Sequence, residues 1–333
     1  MPTEYGWSAP PELASRAAAR PSGPHVHAEW ETMAPDEREA RLGERLAALV
    51  ERAWREVPSL RRRFESGGLT PETCQGVRDL ARLPVVERAW LVAQQHDHPP
   101  FGGWCLVPAE RLRAVHFLPG PLRVPEAREP DYWRWGAALA AAGVERGALV
   151  IVEQSPRHTL APMVQAGVAA RDAVCGPVNP LDAAALESFG PWASEAIYAG
   201  TARGLEILLA RVTPGVLRTA VLTRGAPSPS LLMRARRLHM EIFRAFGIPE
   251  IGCLGFECRP GAGLHLVPDL WVELLDPASG EPVADGQTGR LVVSRLDDVY
   301  PILRYLCPAR GALTAEPCLC GRTTPRLFRF EET

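Results

Sequence analysis

The middle of the chain alternates between short apolar runs and segments with helical periodicity, and this pattern limits the fold more than any other feature. The apolar runs lie at 147–154, 173–175, 196–198 and 217–225, and helical segments separate them. Strands and helices that alternate at this spacing form a largely parallel sheet covered by helices. We therefore predict an α/β fold with a doubly wound, largely parallel sheet over residues 111–230.

Different patterns flank this core. Residues 1–36 are rich in Pro, Ser and Ala and predict an irregular N-terminal arm, whereas 37–110 predict a helical N-terminal segment. Within that segment a helix should begin at Pro35, with acidic residues in its first turn, and Thr70-Pro71-Glu72 should begin another that ends at Pro84. Residues 231–333 predict a helix over 231–246 and then an antiparallel β sub-domain, because apolar and polar residues alternate around Asp-Pro, Ser-Gly and Asp-Gly turns.

Composition excludes several classes of protein. No run approaches 18 apolar residues, which excludes a membrane-spanning helix, and a net charge of −2 gives no electrostatic reason to expect nucleic acid or membrane as a partner. The first 20 residues lack the apolar core of a secretory signal, so we expect a cytoplasmic protein. All 37 basic residues are arginine, so the chain has no lysine for a Schiff base or a phosphate loop.

The cysteines are concentrated near the C-terminus and suggest a metal site. Cys258 and His265 are separated by six residues, and Cys318 and Cys320 by one. Three thiolates and one imidazole suit a closed tetrahedral zinc site, which would be structural because no coordination position stays open. The alternative is a group of free thiols beside a β-turn, and Cys253 and Cys307 are the nearest substitutes if one assigned ligand is wrong.

Polar residues follow two predicted strands. Gln154, Ser155, Arg157 and His158 come after the first strand and Arg224 after the last. Ligands of doubly wound sheets bind beyond the carboxyl ends of strands, so these residues are candidates to line a pocket. The alternatives are a solvated loop for the first group and a surface ion pair for Arg224.

Several segments, in this order and spacing, resemble the phenylacetate–CoA ligase branch of the adenylate-forming, or acyl-CoA synthetase, superfamily. The resemblance covers residues 55–330, and several members of the branch carry a similar Cys…His…Cys-x-Cys set. It rests on FESGGLTPETCQGVRDLARLPVVERAWL, PFGGWCLVP, FGIPE, ELLDPASGEPVADGQTGRLVVSRL, YPILRY and CLCGRTTPR.

The family's nucleotide motifs are degenerate in this chain. Its phosphate loop, a Ser/Thr/Gly-rich turn that ends in Lys-Pro, corresponds to His116–Pro125. There Leu118, Pro119, Pro121 and Leu122 take the hydroxyl positions and Val124 takes that of the lysine. Two prolines also remove backbone N–H groups that a phosphate cradle would use.

The other motifs are altered in a similar way. Glu250 occupies the position of the family's magnesium-linked carboxylate, but Pro249 replaces the hydroxyl that contacts the acyl-adenylate. Arg304-Tyr305 are present, but Ala309 replaces the aspartate that binds the ribose. The sequence stops at Thr333, before the family's mobile C-terminal lid domain, which we expect to be absent. The resemblance thus predicts a member that uses neither ATP nor Mg²⁺.

Three functions remain open at this stage. The first is a degenerate, non-adenylating protein that acts as a binding or regulatory scaffold. The second is an ATP-independent biosynthetic enzyme for acyl transfer, condensation or cyclisation, with His158 and Glu250 as catalytic candidates and Gln154, Ser155, Arg157 and Arg224 as substrate-binding candidates. The third is a true aryl or acyl acid–CoA ligase. The expected partners are an acyl or aryl small molecule and a second copy or a partner enzyme.

Overall fold

A computed structural model describes residues 26–156, 158–188, 196–213 and 215–332. Most of the predicted N-terminal arm therefore lies outside the described residues. The α-helices are α1 Ala28–Thr32, α2 Pro35–Glu56, α3 Pro58–Glu65, α4 Arg88–Asp97, α5 Trp135–Ala141, α6 Ala161–Ala170, α7 Ala183–Glu187, α8 Ala202–Leu209 and α9 Pro229–Arg237.

The strands of the described residues fall into two compact units. The first unit comprises Pro130–Val267 and Glu316–Arg329, together with residues 26–28, and the second comprises Glu29–Glu129, Pro268–Ala315 and residues 330–332. The strands are β1 Leu112–Leu118, β2 Leu122–Ala127, β3 Leu149–Glu153, β4 Val174–Val178, β5 Ala196–Thr201, β6 Leu217–Arg224, β7 Glu241–Ile248, β8 Gly252–Glu257, β9 Leu264–Leu266, β10 Leu270–Leu275, β11 Gly289–Arg295, β12 Ile302–Thr314 and β13 Arg326–Glu332.

The first unit contains the predicted parallel sheet. Its strands pair in the order β4-β3-β5-β6-β7, all in parallel, and β8, β9 and β13 extend the sheet with antiparallel pairs. Every residue of β3 is buried, as expected for a parallel strand with both faces covered. On one face Ile151 packs in a cluster with Leu205 of α8 and Leu231 of α9. The prediction of a doubly wound α/β sheet is therefore confirmed.

The second unit combines helices with antiparallel strands. Helix α2 begins at the predicted Pro35 and buries an apolar stripe that includes Leu42, Leu46 and Leu49. Strands β10, β11 and β12 form antiparallel pairs, and β1 pairs with β2 in a separate hairpin.

Two predicted helices need correction. Residues 70–84 contain only a 3₁₀-helix, Val77–Arg82, rather than an α-helix that begins at Thr70. The helix predicted over 231–246 ends at Arg237, because His239 adopts a left-handed φ of 53° and residues 241–248 form β7. The run from Glu241 to Ile248 completes the series of parallel strands, so it belongs to the sheet.

Candidate functional site

The four predicted metal ligands come together in the first unit. Cys258 directly follows β8, His265 lies in β9, and Cys318 and Cys320 lie in the turn before β13. Their ligand atoms are all within 4.8 Å of one another, and all four residues are buried. Gly321 closes the turn at a φ of +83°, and its N–H donates to the carbonyl of Cys318 at 3.0 Å.

The spacing of these atoms fits a tetrahedral zinc ion. Cys258 Sγ and Cys318 Sγ are 3.7 Å apart, and Cys320 Sγ lies 3.4 Å from His265 Nε2. Tetrahedral zinc–sulfur and zinc–nitrogen bonds place two sulfurs about 3.8 Å apart and a sulfur and a nitrogen about 3.6 Å apart. The cluster can therefore hold a metal ion of this kind.

Two neighbours that sequence reasoning missed orient the cluster. Thr324 Oγ1 lies 3.1 Å from His265 Nδ1, so it can accept that N–H and leave Nε2 free to bind a metal. The backbone N–H of Arg322 donates to Cys320 Sγ at 3.5 Å. Hydrogen bonding with the Cys258 thiol lowers the pKa of Cys318 and Cys320 and raises that of Cys258, so without a metal ion the Cys258 thiol keeps its proton and donates to the other two sulfurs. Thr324 could have been found from the TTPR run after the cysteines, since a buried ligand histidine needs an acceptor on its other nitrogen.

The candidates at the carboxyl ends of the parallel strands have different environments. His158 is 3% exposed, its Nδ1 lies 2.9 Å from the carbonyl of Glu153, and its Nε2 lies 2.9 Å from Thr223 Oγ1. Because a carbonyl only accepts, Nδ1 carries the proton and Nε2 accepts from the threonine. Burial lowers the pKa of His158, which keeps the ring neutral. One ring nitrogen thus binds β3 and the other binds β6, so the imidazole links the two strands.

The other pocket candidates are less constrained. Ser155 Oγ donates to Glu153 Oε1 at 2.6 Å, and Gln154 is half-buried with its backbone N–H bound to the carbonyl of Val178. Arg224 is exposed at the last residue of β6. Arg157 lies outside the described residues.

A buried carboxylate at this sheet edge escaped the sequence analysis. Glu153 Oε2 accepts from the Tyr198 hydroxyl at 2.8 Å and from the backbone N–H of Thr201 at 2.6 Å, in addition to Ser155 on Oε1. Burial alone raises the pKa of Glu153, but these hydrogen bonds outweigh it, so the pKa lies below its ordinary value. The available signal was an acidic residue at the end of an otherwise apolar strand.

Two glycines leave room for this carboxylate. A Cβ atom on Gly200 would lie 2.6 Å from Glu153 Cβ, and one on Gly204 would lie 2.5 Å from its carboxyl carbon. No side chain larger than hydrogen therefore fits at either position without displacing Glu153. The carboxyl ends of β3 and β5 are held together by this network.

The FGIPE segment, residues 246–250, is packed against tryptophans of the same unit. Glu250 is 3% exposed in the turn between β7 and β8. A Cβ on Gly247 would lie 2.7 Å from a ring carbon of Trp135, and the carbonyl of Trp133 accepts from the N–H of Cys253 at 2.8 Å. Both tryptophans are fully buried. Large apolar side chains therefore occupy the space beside this segment.

The phosphate-loop segment forms the turn of the β1–β2 hairpin in the second unit. Leu118, Leu122 and Val124 are buried, at 7%, 1% and 1% exposed, so they belong to the apolar core. Gln95 fixes the hairpin, because its side-chain oxygen accepts from the N–H of Arg123 and its amide donates to the carbonyl of the same residue.

The remaining altered motif lies in β12. Arg304 forms a two-bond ion pair with Glu273, at 3.1 Å for each bond, and donates to the carbonyls of Ala81 and Leu83. Ala309, at the position of the ribose-binding aspartate, is 2% exposed. Arg304 therefore makes these hydrogen bonds and this ion pair within the second unit.

Comparison with known proteins finds relatives of one kind. The chain is 28% identical to the phenylacetate–coenzyme A ligase of Thermus thermophilus over 90% of its own length and 71% of the relative's. It is 25% identical to the Escherichia coli phenylacetate–coenzyme A ligase over 83% of its length and 67% of the relative's. The chain is therefore similar to phenylacetate–coenzyme A ligases over most of its length.

Solved structures share the fold of this chain. A 2-hydroxyisobutyryl-CoA ligase in complex with an acyl-AMP superposes with a TM-score of 0.79 at 22% identity, over 92% of this chain and 70% of that chain. The same ligase in an open conformation, in complex with 2-HIB-AMP and CoA, gives a TM-score of 0.78. No family model matches the sequence. Among the described residues, no helix is both long and apolar enough to cross a membrane.

Proposed function

We propose that this phenylacetate–CoA ligase-like protein does not adenylate and that it acts as a binding or regulatory scaffold. The observation that carries the proposal is the β1–β2 hairpin. A phosphate cradle needs hydroxyl groups, free N–H groups and a cation that face the ligand. Here the corresponding side chains are Leu118, Leu122 and Val124, which are buried in the apolar core, and prolines flank the turn glycine.

The losses outside the hairpin support the same proposal. Ala309 offers no carboxylate to a ribose, and the chain contains no lysine to stabilise a developing negative charge on phosphate. Trp133 and Trp135 pack beside residues 246–250, where the family binds its acyl-adenylate. The buried cluster of Cys258, His265, Cys318 and Cys320 would hold a structural zinc ion that stabilises the turn before β13.

A pyrophosphate-release assay tests this proposal. The protein is incubated with Mg-ATP and a panel of aryl and short acyl acids, and the Thermus thermophilus phenylacetate–coenzyme A ligase serves as a positive control. We expect no pyrophosphate above the rate of a heat-denatured sample. Release that depends on one of the acids would overturn the proposal and support the third function, a true ligase.

One observation favours the second function, an ATP-independent enzyme. The side-chain nitrogen of Gln154 is buried, and among the described residues it has no hydrogen-bond partner. A buried amide of this kind can donate to a ligand carbonyl at the carboxyl ends of β3 and β5. If an acyl or aryl ligand binds there, Gln154→Ala should weaken its binding. Arg218→Ala, at an exposed position near the amino end of β6, should leave the binding unchanged.

A further inference from the structure

The C-terminal ends of α8 and α9 carry an exposed basic surface that the functions above do not use. We name the five residues Arg211, Met233, Arg234, Arg236 and Arg237 the α8–α9 patch. All five are exposed, and Met233 retains 53% of its accessible surface. They lie in the first unit at the amino ends of β6 and β7, because each helix ends just before the strand that follows it.

The patch is one continuous surface rather than two separate helix ends. Arg234 of α9 donates through Nη2 to the carbonyl of Leu209, the last residue of α8. A small cavity at this junction is lined by side chains from both helices and from the start of β6: Leu209, Val212, Val216, Leu217, Arg234 and Leu238. The two helices also pack on the same apolar cluster of the sheet.

The charge of the patch is not balanced by its surroundings. Within the described residues, none of its four arginines forms an ion pair. The nearest acidic side chain on α8, Glu206, is already bound by Arg203 and Ser228, and Glu187 accepts from Thr213. Arginines in the last turn of a helix interact favourably with its dipole. Arg211 also binds the end of its helix, because its Nη1 donates to the carbonyl of Ile207 at 3.0 Å. Among the described residues, the guanidinium groups of Arg236 and Arg237 have no such partner, so these two arginines supply the charge for a partner.

The composition of the patch is that of a protein-binding surface. Arginine and methionine are enriched in protein–protein interfaces, and methionine adapts to varied partners. Partly buried Val212, Val216, Leu232 and Leu238 pack against the apolar cluster beneath the two helices. Nucleic acid is disfavoured, because the patch contains no aromatic residue for base stacking and the chain has a net charge of −2.

We propose that the α8–α9 patch docks an acidic amphipathic helix of a partner protein. Carboxylates on one side of that helix would pair with the arginines, and its apolar residues would contact Met233 and its neighbours. The patch lies at the amino ends of the strands, whereas ligands of such sheets bind at the carboxyl ends. The inference therefore holds whether or not the chain adenylates.

Fluorescence anisotropy with a designed peptide tests the proposal. The probe is a labelled helical peptide with glutamates on one face and leucines on the other, and its matched counterpart carries glutamine in place of glutamate. Binding of the acidic peptide should weaken at least about tenfold in the R236E/R237E double variant and when salt rises from about 0.05 M to about 0.3 M. Arg234 is left unchanged, because its guanidinium binds the end of α8.

The matched control is the R61E/R62E double variant, which reverses two adjacent exposed arginines in the C-terminal half of α3. This variant should bind the acidic peptide as the unchanged protein does. The proposal is wrong if the acidic peptide does not bind, if both peptides bind equally, or if the two double variants lose the same affinity. It is also wrong if a short single-stranded oligonucleotide binds at the patch more tightly than the acidic peptide.

Discussion

At the scale of single residues, Glu153 is the clearest example of an ionised group held inside the fold. Its carboxylate accepts three hydrogen bonds, and its pKa is lower in the folded protein than its ordinary value. A carboxylate with a lowered pKa stabilises the folded state above the pKa of the unfolded chain, about 4.3, and this stabilisation disappears as the pH falls through the folded pKa.

Glu153→Gln should therefore destabilise the protein in a pH-dependent way. A glutamine would direct N–H groups at donors from Ser155, Tyr198 or Thr201, so the free energy of unfolding should fall by about 2 kcal/mol at neutral pH. Urea denaturation should show this difference narrowing as the pH falls below the unfolded pKa of about 4.3 and through the lower folded pKa, because only the wild-type side chain titrates there. A difference that stays constant across this range would contradict the assignment of an ionised Glu153.

Metal binding at the cysteine cluster gives a second test at this scale. Metal analysis of chelator-washed protein should return about one zinc per chain, as expected for a closed four-ligand site. Cys320→Ser should lose the ion and lower the free energy of unfolding, because metal binding stabilises only the folded state. Cys253→Ala, which changes a buried cysteine outside the cluster, should keep the ion. Protein without zinc, or a Cys320→Ser variant that retains it, would contradict the site.

The sequence predicted this cluster better than it predicted the carboxyl ends of the strands. Cysteine and histidine at short spacings are typical of metal sites, so Cys258, His265, Cys318 and Cys320 could be named without a structure. His158, by contrast, was a catalytic candidate only because it follows a strand, and its hydrogen bond to Thr223 depends on a neighbour 65 residues away in the chain. That catalytic role stays a prediction.

At the scale of elements, the β1–β2 hairpin carries buried apolar side chains in the segment that the family resemblance aligns with a phosphate loop. Besides lacking hydroxyl groups, Leu122 and Val124 are buried in the apolar core of the second unit. The side chain of Gln95 also binds the backbone of the hairpin. Restoring one family residue therefore cannot restore the cradle.

The Val124→Lys variant tests whether position 124 is buried in the apolar core. The substitution places an ammonium group at a position that is 1% exposed, and burying an unpaired charge should lower the free energy of unfolding by at least about 2 kcal/mol. Phe117→Lys, on the neighbouring strand at 78% exposed, should change it by less than about 0.5 kcal/mol. Urea denaturation measures both variants. Equal stabilities would show that position 124 faces solvent, as a phosphate-binding lysine would.

Helix and strand assignments succeeded where the pattern was long and failed where it was short. The 22 residues of α2 carry a sustained amphipathic pattern, whereas EIFRAFGI after α9 could continue a helix or form a strand. The left-handed φ of His239 decides between them, and an L-residue with such a φ gives no signal in the sequence.

At the scale of the whole molecule, the similarity to phenylacetate–coenzyme A ligases and the parallel sheet were predictable, because they depend on many weak signals in the same order along the chain. The division into two compact units was harder to predict from the sequence. Each gathers segments from distant parts of the sequence, such as residues 130–267 with 316–329, and local patterns do not report such pairings. The same is true of the tryptophans beside residues 246–250, since Trp133 and Trp135 lie more than a hundred residues earlier in the chain.

The most direct test of the central claim is calorimetric titration with Mg-ATP, with and without candidate aryl acids. We expect no measurable binding, because the hairpin at 116–125 offers no cradle to the phosphates and Ala309 offers no carboxylate to the ribose. The Thermus thermophilus phenylacetate–coenzyme A ligase, titrated under the same conditions, shows that binding would be detected. A dissociation constant in the micromolar range for this chain would contradict the claim that it does not adenylate.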